Sequence, residues 1–184
     1  NPSQASEHDD LGPEQASRGI TALTSFAVSL LQQQSLEDLL WSMAERIGVL
    51  LGFEDCVIYL LVGYELVQYA AYGVKNTRGR EIFEPITVRV DEGVVGRVAV
   101  SGKAALINDV RDEPDYIPDQ FPGLSELAVP LIFEDRVIGV IDTEASSAFA
   151  YEADDVQALK WLATSAAPRI GYALEERARM EAQD

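Results

Sequence analysis

The sequence predicts an α+β domain, and three observations carry that prediction. Leu36, Leu39, Leu40, Met43, Ile47 and Leu50 recur at helical spacing, as one apolar stripe of an amphipathic helix would. Two strand-like runs, Glu126 to Phe133 and Arg136 to Thr143, are separated only by Glu134-Asp135, the spacing of a hairpin. From Glu152 a helical pattern fills the rest of the chain.

The elements follow in order. Residues 1–13 are polar, carry Pro2 and Pro13, and read as a disordered tail. A linker helix is predicted over residues 14–34, where Ile20, Leu23, Ala27 and Leu30 alternate three- and four-residue steps like a heptad seam. Ser35 restarts the pattern as a cap for the next helix, with Asp38 as its capping-box echo and Gly52 as the stop. Cys56 to Val62 reads as a buried strand, turning at Gly63-Tyr64 into a second strand, Glu65 to Tyr72. Gly73 to Arg80 is loop, and Ile86 to Val90 is the third strand. Asp91 is positioned to cap a short helix from Gly93 to Ser101 that Gly102 ends, and Ala105 to Ile107 is a fourth strand. Residues 109–124 hold Pro114, Pro118 and Pro122 and form a loop of a length that is usually functional or disordered. The hairpin and the final helix complete the order.

Composition narrows the function. The chain of 184 residues is 47% hydrophobic, enough for one domain with helical extensions. It carries 31 acidic against 14 basic residues, a net charge of −17, and that field repels phosphate backbones and anionic lipid. No nucleic acid and no membrane contact are expected. Cys56 is the single cysteine, which excludes an intrachain disulfide framework and fits a reducing, cytoplasmic setting. No apolar run reaches the length of a membrane span and no signal peptide is visible. The chain begins at Asn1 without methionine and reads as a fragment of a longer protein.

The stretch Gly93-Val94-Val95-Gly96-Arg97-Val98-Ala99 leads through Gly102-Lys103 to Ser125-Glu126-Leu127-Ala128-Val129-Pro130-Leu131 and then Val137-Ile138-Gly139-Val140-Ile141-Asp142. That order resembles the core of GAF domains, small-molecule-sensing modules of bacterial signalling proteins related to the PAS fold. The resemblance covers residues 35–174, with residues 175–184 as a C-terminal linker helix toward an output domain. It implies a six-stranded antiparallel sheet, with terminal helices on one face and a short helix plus long loop on the other. It also implies a regulatory sensor rather than an enzyme, relaying a signal through the terminal helices to a histidine kinase, diguanylate cyclase or phosphatase, as in two-component systems. The alternative is a ligand-free fold kept for dimerisation and relay. Cyclic-nucleotide-binding members carry an Asn-Lys step, a Phe and an acidic pair. Here Glu144-Ala145-Ser146 stands at that step while Phe149 and Asp154-Asp155 remain, so the pattern points away from cyclic nucleotides.

Reactive chemistry has little to draw on. Cys56 heads an apolar strand, where burial makes a thiol inert, and it has no partner thiol of the kind GAF-fold free methionine sulfoxide reductases use. No cysteine lies near the middle helix, where bilin-binding relatives attach pigment. His8, the only histidine, sits in the polar tail, which removes a Ser-His-Asp triad or histidine metal site. Asp109, Asp112, Glu113, Asp115 and Asp119 crowd one loop but match no calcium-loop spacing, and read as a solvated face. No cofactor is called for. Repulsion among these five carboxylates predicts that residues 110–124 are the most mobile part of the domain.

The ligand is placed by strand alternation together with the resemblance. Leu127, Val129 and Leu131 share one face and Ala128, Pro130 and Ile132 the other, so the strand is covered on both sides. The cavity wall is expected to be Tyr59, Val94, Val95, Tyr116, Leu127, Val129 and Asp142, with Asp142 as acidic acceptor. Such a wall favours a neutral or weakly cationic small molecule over nucleotides. Gly93 to Gly96 is read as close packing of helix on sheet, compatible with presenting amides to a ligand. A homodimer is expected through the terminal helices. Val156, Leu159, Ala163, Ala166, Ile170 and Ala173 would form its seam, Trp161 and Tyr172 would face the sheet, and Pro168 would kink the helix.

Overall fold

A computed structural model describes residues 21, 23–29, 31–32, 35–76, 79–119 and 121–183. The tail, His8, the start of the linker helix, and the seam positions Ile20 and Leu30 lie outside the described residues. The elements are α1 (Leu36–Leu51), β1 (Asp55–Val62), β2 (Glu65–Gly73), β3 (Thr87–Arg89), α2 (Gly93–Ser101), β4 (Ala105–Ile107), β5 (Ser125–Phe133), β6 (Arg136–Ala145) and α3 (Ala153–Glu181). Before α1, residues 21, 23–29 and 31 are helical.

Local chemistry accounts for most boundaries. The Ser35 hydroxyl accepts the Asp38 N–H at 3.1 Å, satisfying an orphan donor of α1, and donates to Asp38 Oδ2 at 2.8 Å. Gly52 closes α1 in the left-handed region at φ 66°, its N–H on the Gly48 carbonyl. Glu134 and Asp135 both adopt positive φ in the β5–β6 turn, the twist a two-residue hairpin requires. Glu152 and Asp155 form a reciprocal capping box at the start of α3. One expected cap is corrected. Glu92, not Asp91, is the N-cap of α2 and makes no side-chain cap bond, and both carboxylates pair with Arg89.

The six strands form one sheet in the order β3-β2-β1-β6-β5-β4, every neighbouring pair antiparallel. Alternation sorts the side chains into two apolar layers. Ile58, Leu60, Leu127, Val129, Leu131 and Ile141 meet α1 and α3 on one face, with Phe26 of the leading helical segment buried among them. Val57, Tyr59, Ala128 and Val140 meet Val94, Val95 and Val98 of α2 on the other. Gly96 permits the closeness of α2: a Cβ there would lie 2.4 Å from the Arg89 carbonyl oxygen of β3.

The face assigned to α3 by spacing is reversed. Leu159, Ala163, Ala166 and Ile170 are buried against the sheet, while Trp161 and Tyr172 are 45% and 60% exposed. Small residues at three- and four-residue steps let a helix approach a sheet as readily as another helix, and spacing alone does not separate the two. At the far end Gly171 lies under the Phe133 ring, and Tyr172 stacks edge-on to it at 5.0 Å. The helix runs through Pro168, which is exposed.

Candidate functional site

The roof on the α2 face encloses a cavity of about 250 Å³. Its floor is Tyr59 of β1, Glu126 of β5, and Asp142 and Glu144 of β6. Val94 and Val95 close it from α2, and Ile117 to Asp119 of the long loop close it from the side. Gln68 holds the remaining edge, exchanging hydrogen bonds with the Ile86 backbone at 2.9 and 3.0 Å.

Strand register builds the acidic floor. Asp142 and Glu144 are two residues apart and so share a face, and Glu126 stands opposite Glu144 across the β5–β6 ladder. Glu126 and Asp142 are 4% and 6% exposed, and among the described residues no other group donates to Glu126 Oε2 or Asp142 Oδ1. Two carboxyls buried together cannot both ionise without a large penalty. Burial pushes Glu126 up to about 7, a hydrogen bond with Asp142 partly offsetting it. Burial, and then the Glu126 charge, holds Asp142 well above the carboxylate range. Near neutrality the pair is therefore not fully ionised. Burial also raises the Tyr59 phenol, which stays protonated beside them.

A cation guards the outer end of the row. Lys75, from the turn after β2, is ion-paired with Asp119 and Glu144 and lies 3.8 Å from Asp55. Burial alone would lower its pKa, but Glu144, Asp119 and Asp55 hold it above the ordinary lysine range. Asp55, buried at the start of β1, is pushed to about 7 by burial, against the Glu144 N–H that it accepts at 2.7 Å and the Lys75 charge. Tyr116 donates to Glu144 Oε1 at 2.9 Å, so the loop and Lys75 occupy both Glu144 oxygens. A second hollow of about 450 Å³, bordered by Trp41, Gln68, Lys75 and Phe121, shares Ile86 and Asp119 with the first.

Of the expected wall residues, Tyr59, Val94, Val95 and Asp142 line this cavity. Tyr116 does not line it but reaches its floor through Glu144. Leu127 and Val129 are corrected: both pack in the layer under α1 and α3, on the opposite face. The sheet gives its larger β5 residues to the helices and turns Glu126 and Ala128 toward α2. Glu126, Glu144 and Lys75 were not anticipated. The first two carried a legible signal, since acids at period two in otherwise apolar strands mark a common face. Lys75 carried none, because its partners are far away in the sequence.

The long loop is also corrected in its physics. Asp109 pairs with Arg111, Glu113 and Asp115 with Arg97, and Asp119 with Lys75. Its ends are tied by Val110 N–H to the Leu124 carbonyl at 2.8 Å and by Leu124 N–H to the Ala145 carbonyl at 2.7 Å. Uncompensated repulsion is therefore not the state of these carboxylates. Among the described residues no group of three or more His, Cys, Asp or Glu side chains is placed to hold a metal ion, and no helix is long and apolar enough to cross a membrane. Cys56 is fully buried in the layer beneath the terminal helices, away from the cavity, and burial raises its thiol.

The sheet order and the helical layers are those of one α+β domain with a roofed acidic cavity, and they define its fold class. A family model for the GAF domain matches residues 33–170, and the chain belongs to the GAF domain family. Among solved structures it is similar to the GAF domain of the Coxiella burnetii phosphoenolpyruvate-protein phosphotransferase, with 18% identity over 89% of this chain and 98% of that one, at a TM-score of 0.78. The corresponding Acinetobacter domain is 20% identical over 85% of this chain and 94% of that one, with a TM-score of 0.75. Free methionine-R-sulfoxide reductase from Neisseria meningitidis, solved with its substrate, is 21% identical over 94% of this chain and 96% of that one, also at 0.75. At these identities the likeness is one of fold, and the fold is shared by regulatory domains and by an enzyme. No curated protein matches the sequence.

Proposed function

We propose that this chain is the sensor domain of a signalling protein. It binds a small neutral or cationic molecule between sheet and roof and relays occupancy through its terminal helices. The observation that carries the reading is a cavity of about 250 Å³ floored by the buried acids Glu126 and Asp142 beside Glu144. Acidic oxygens on the floor of a cavity favour a ligand that brings N–H or O–H donors. A cavity of about 250 Å³ suits a metabolite-sized molecule. A substrate held by the same fold in the Neisseria reductase supports small-molecule binding. The burial of Cys56 on the opposite face supports sensing over thiol chemistry.

The relay has a physical route. Asp142 and Glu144 face the cavity, and Thr143 between them points to the other side, its hydroxyl 2.6 Å from the Tyr151 hydroxyl just before α3. A shift of β6 on binding therefore reaches the base of α3. The exposed face of α3, with Trp161 and Tyr172, is the surface left to pair terminal helices in a homodimer and to lead toward an output domain in the cytoplasm. Native mass spectrometry of the chain purified from cells tests both parts. A retained molecule lost in Glu126→Gln, and a dimer lost in Trp161→Glu, are the expected results. A ligand-free monomer at high micromolar concentration would overturn the reading.

A further inference from the structure

Lys75 supplies the counter-charge for the outer carboxylates of the site. Its side chain is only 3% exposed, and its three carboxylate partners come from three different places: Asp55 at the start of β1, Asp119 in the long loop, and Glu144 in β6. Two of those partners, Asp119 and Glu144, also line the cavity. The ammonium is thus delivered by the protein to the same carboxylate row whose inner members are Glu126 and Asp142. Its backbone is fixed from behind: Gly73 has φ 73°, and a Cβ there would lie 2.0 Å from the Glu54 carbonyl oxygen. The Asn76 N–H closes the turn on the Gly73 carbonyl at 2.9 Å.

We infer that Lys75 is a tethered competitor for the cationic group of the ligand. An alkylammonium that reaches Glu144 and Asp119 displaces the Lys75 ammonium and releases the tie between the turn at residues 73–76 and the long loop. This rests on the proposed reading of the cavity as a site for small cations and deepens it by naming the ligand class, a primary ammonium, and the residue that sets its affinity. Both Glu144 oxygens are occupied, by the Tyr116 hydroxyl and the Lys75 ammonium, so a ligand ammonium that takes Glu144 must displace one of them. One buried cation already serves the outer carboxylates, and a second beside it would meet like-charge repulsion at short range in a weakly screened site. Exchange also couples binding to loop order, because Asp119 belongs to the loop and the Tyr116 hydroxyl shares Glu144 with Lys75.

The test uses the full chain and n-butylammonium, which reproduces the end of a lysine side chain. Calorimetry compares wild type with Lys75→Gln, a neutral variant that keeps an N–H donor, and with Lys75→Ala. Removing the competing charge should tighten probe binding by about tenfold or more in both variants. Butanol, which lacks the charge, and tetramethylammonium, which lacks the N–H donors, should show no such gain. Should Lys75→Ala fail to fold alone, the probe should restore its cooperative melt, and Lys75→Gln carries the affinity comparison. In wild type, saturating probe should speed hydrogen exchange at residues 113–119. Equal binding by wild type and Lys75→Gln, or weaker binding by the variant, would overturn the competitor role while leaving the cavity reading intact. Binding to none of the chains would overturn the cationic ligand class itself.

Discussion

Replacing Glu126 by glutamine removes one ionisable member of the buried pair while keeping its size and a hydrogen bond to Asp142. Burial raises Glu126 from its ordinary 4.5 to about 7 in the folded chain. The sign follows from linkage: the folded state holds a proton that the unfolded state has released. This group's cost is absent below its unfolded value, grows as pH rises through the window from 4.5 to about 7, and is complete above that. A carboxyl raised from 4.5 to about 7 carries a cost on the order of 3 kcal/mol at pH 8. Glu126→Gln should therefore be more stable than wild type by about 2–3 kcal/mol at pH 8, roughly 5–10 °C in Tm, with the gain vanishing near pH 4.5. Urea unfolding of both chains across that range measures it. A difference independent of pH, or a variant less stable than wild type at pH 8, would show that Glu126 is not a buried acid raised above the ordinary carboxylate range.

Other expectations follow from single contacts. Gly96→Ala places a methyl against the Arg89 carbonyl oxygen, where backbone cannot yield, and should cost about 1–3 kcal/mol in urea unfolding; an unchanged midpoint would mean that α2 lies further from β3. Pro168→Ala restores a donor in the exposed interior of α3 and should raise stability by about 1–3 kcal/mol, read from thermal melts. Tyr116→Phe removes the hydroxyl that holds the loop to Glu144 and should speed amide exchange over residues 114–119 by about fivefold to tenfold, the equivalent of roughly 1 kcal/mol. Exchange there as slow as in β6 would contradict that role for the hydroxyl.

The number, type and order of the elements were legible because they depend on near neighbours. The apolar stripe from Leu36 to Leu50, the cap at Ser35, the stop at Gly52 and the hairpin at Glu134-Asp135 each concern residues a few positions apart. Part of the cavity was legible too. Tyr59, Val94, Val95 and Asp142 follow from the GAF pattern plus alternation, and they come together on one side of the sheet. Alternation says which residues share a face, but not which face is which. Leu127 and Val129 were put on the cavity side, and α3 was turned with Trp161 inward. The structure reverses both, because the faces are chosen by fit against helices distant in the chain.

The sequence by itself determined a GAF-type α+β chain, strongly acidic, with one cysteine and a long acidic loop, since those properties reside in composition and short-range spacing. Only the tertiary structure decided that Glu126 meets Asp142, that Lys75 reaches Asp55, Asp119 and Glu144, and that Arg97 neutralises Glu113 and Asp115. Lys75 and Glu144 are 69 residues apart. Pairing across such a separation depends on how the sheet and roof pack as a whole, and no local pattern encodes it. Burial then raises Glu126 and Asp142 above the ordinary carboxylate range.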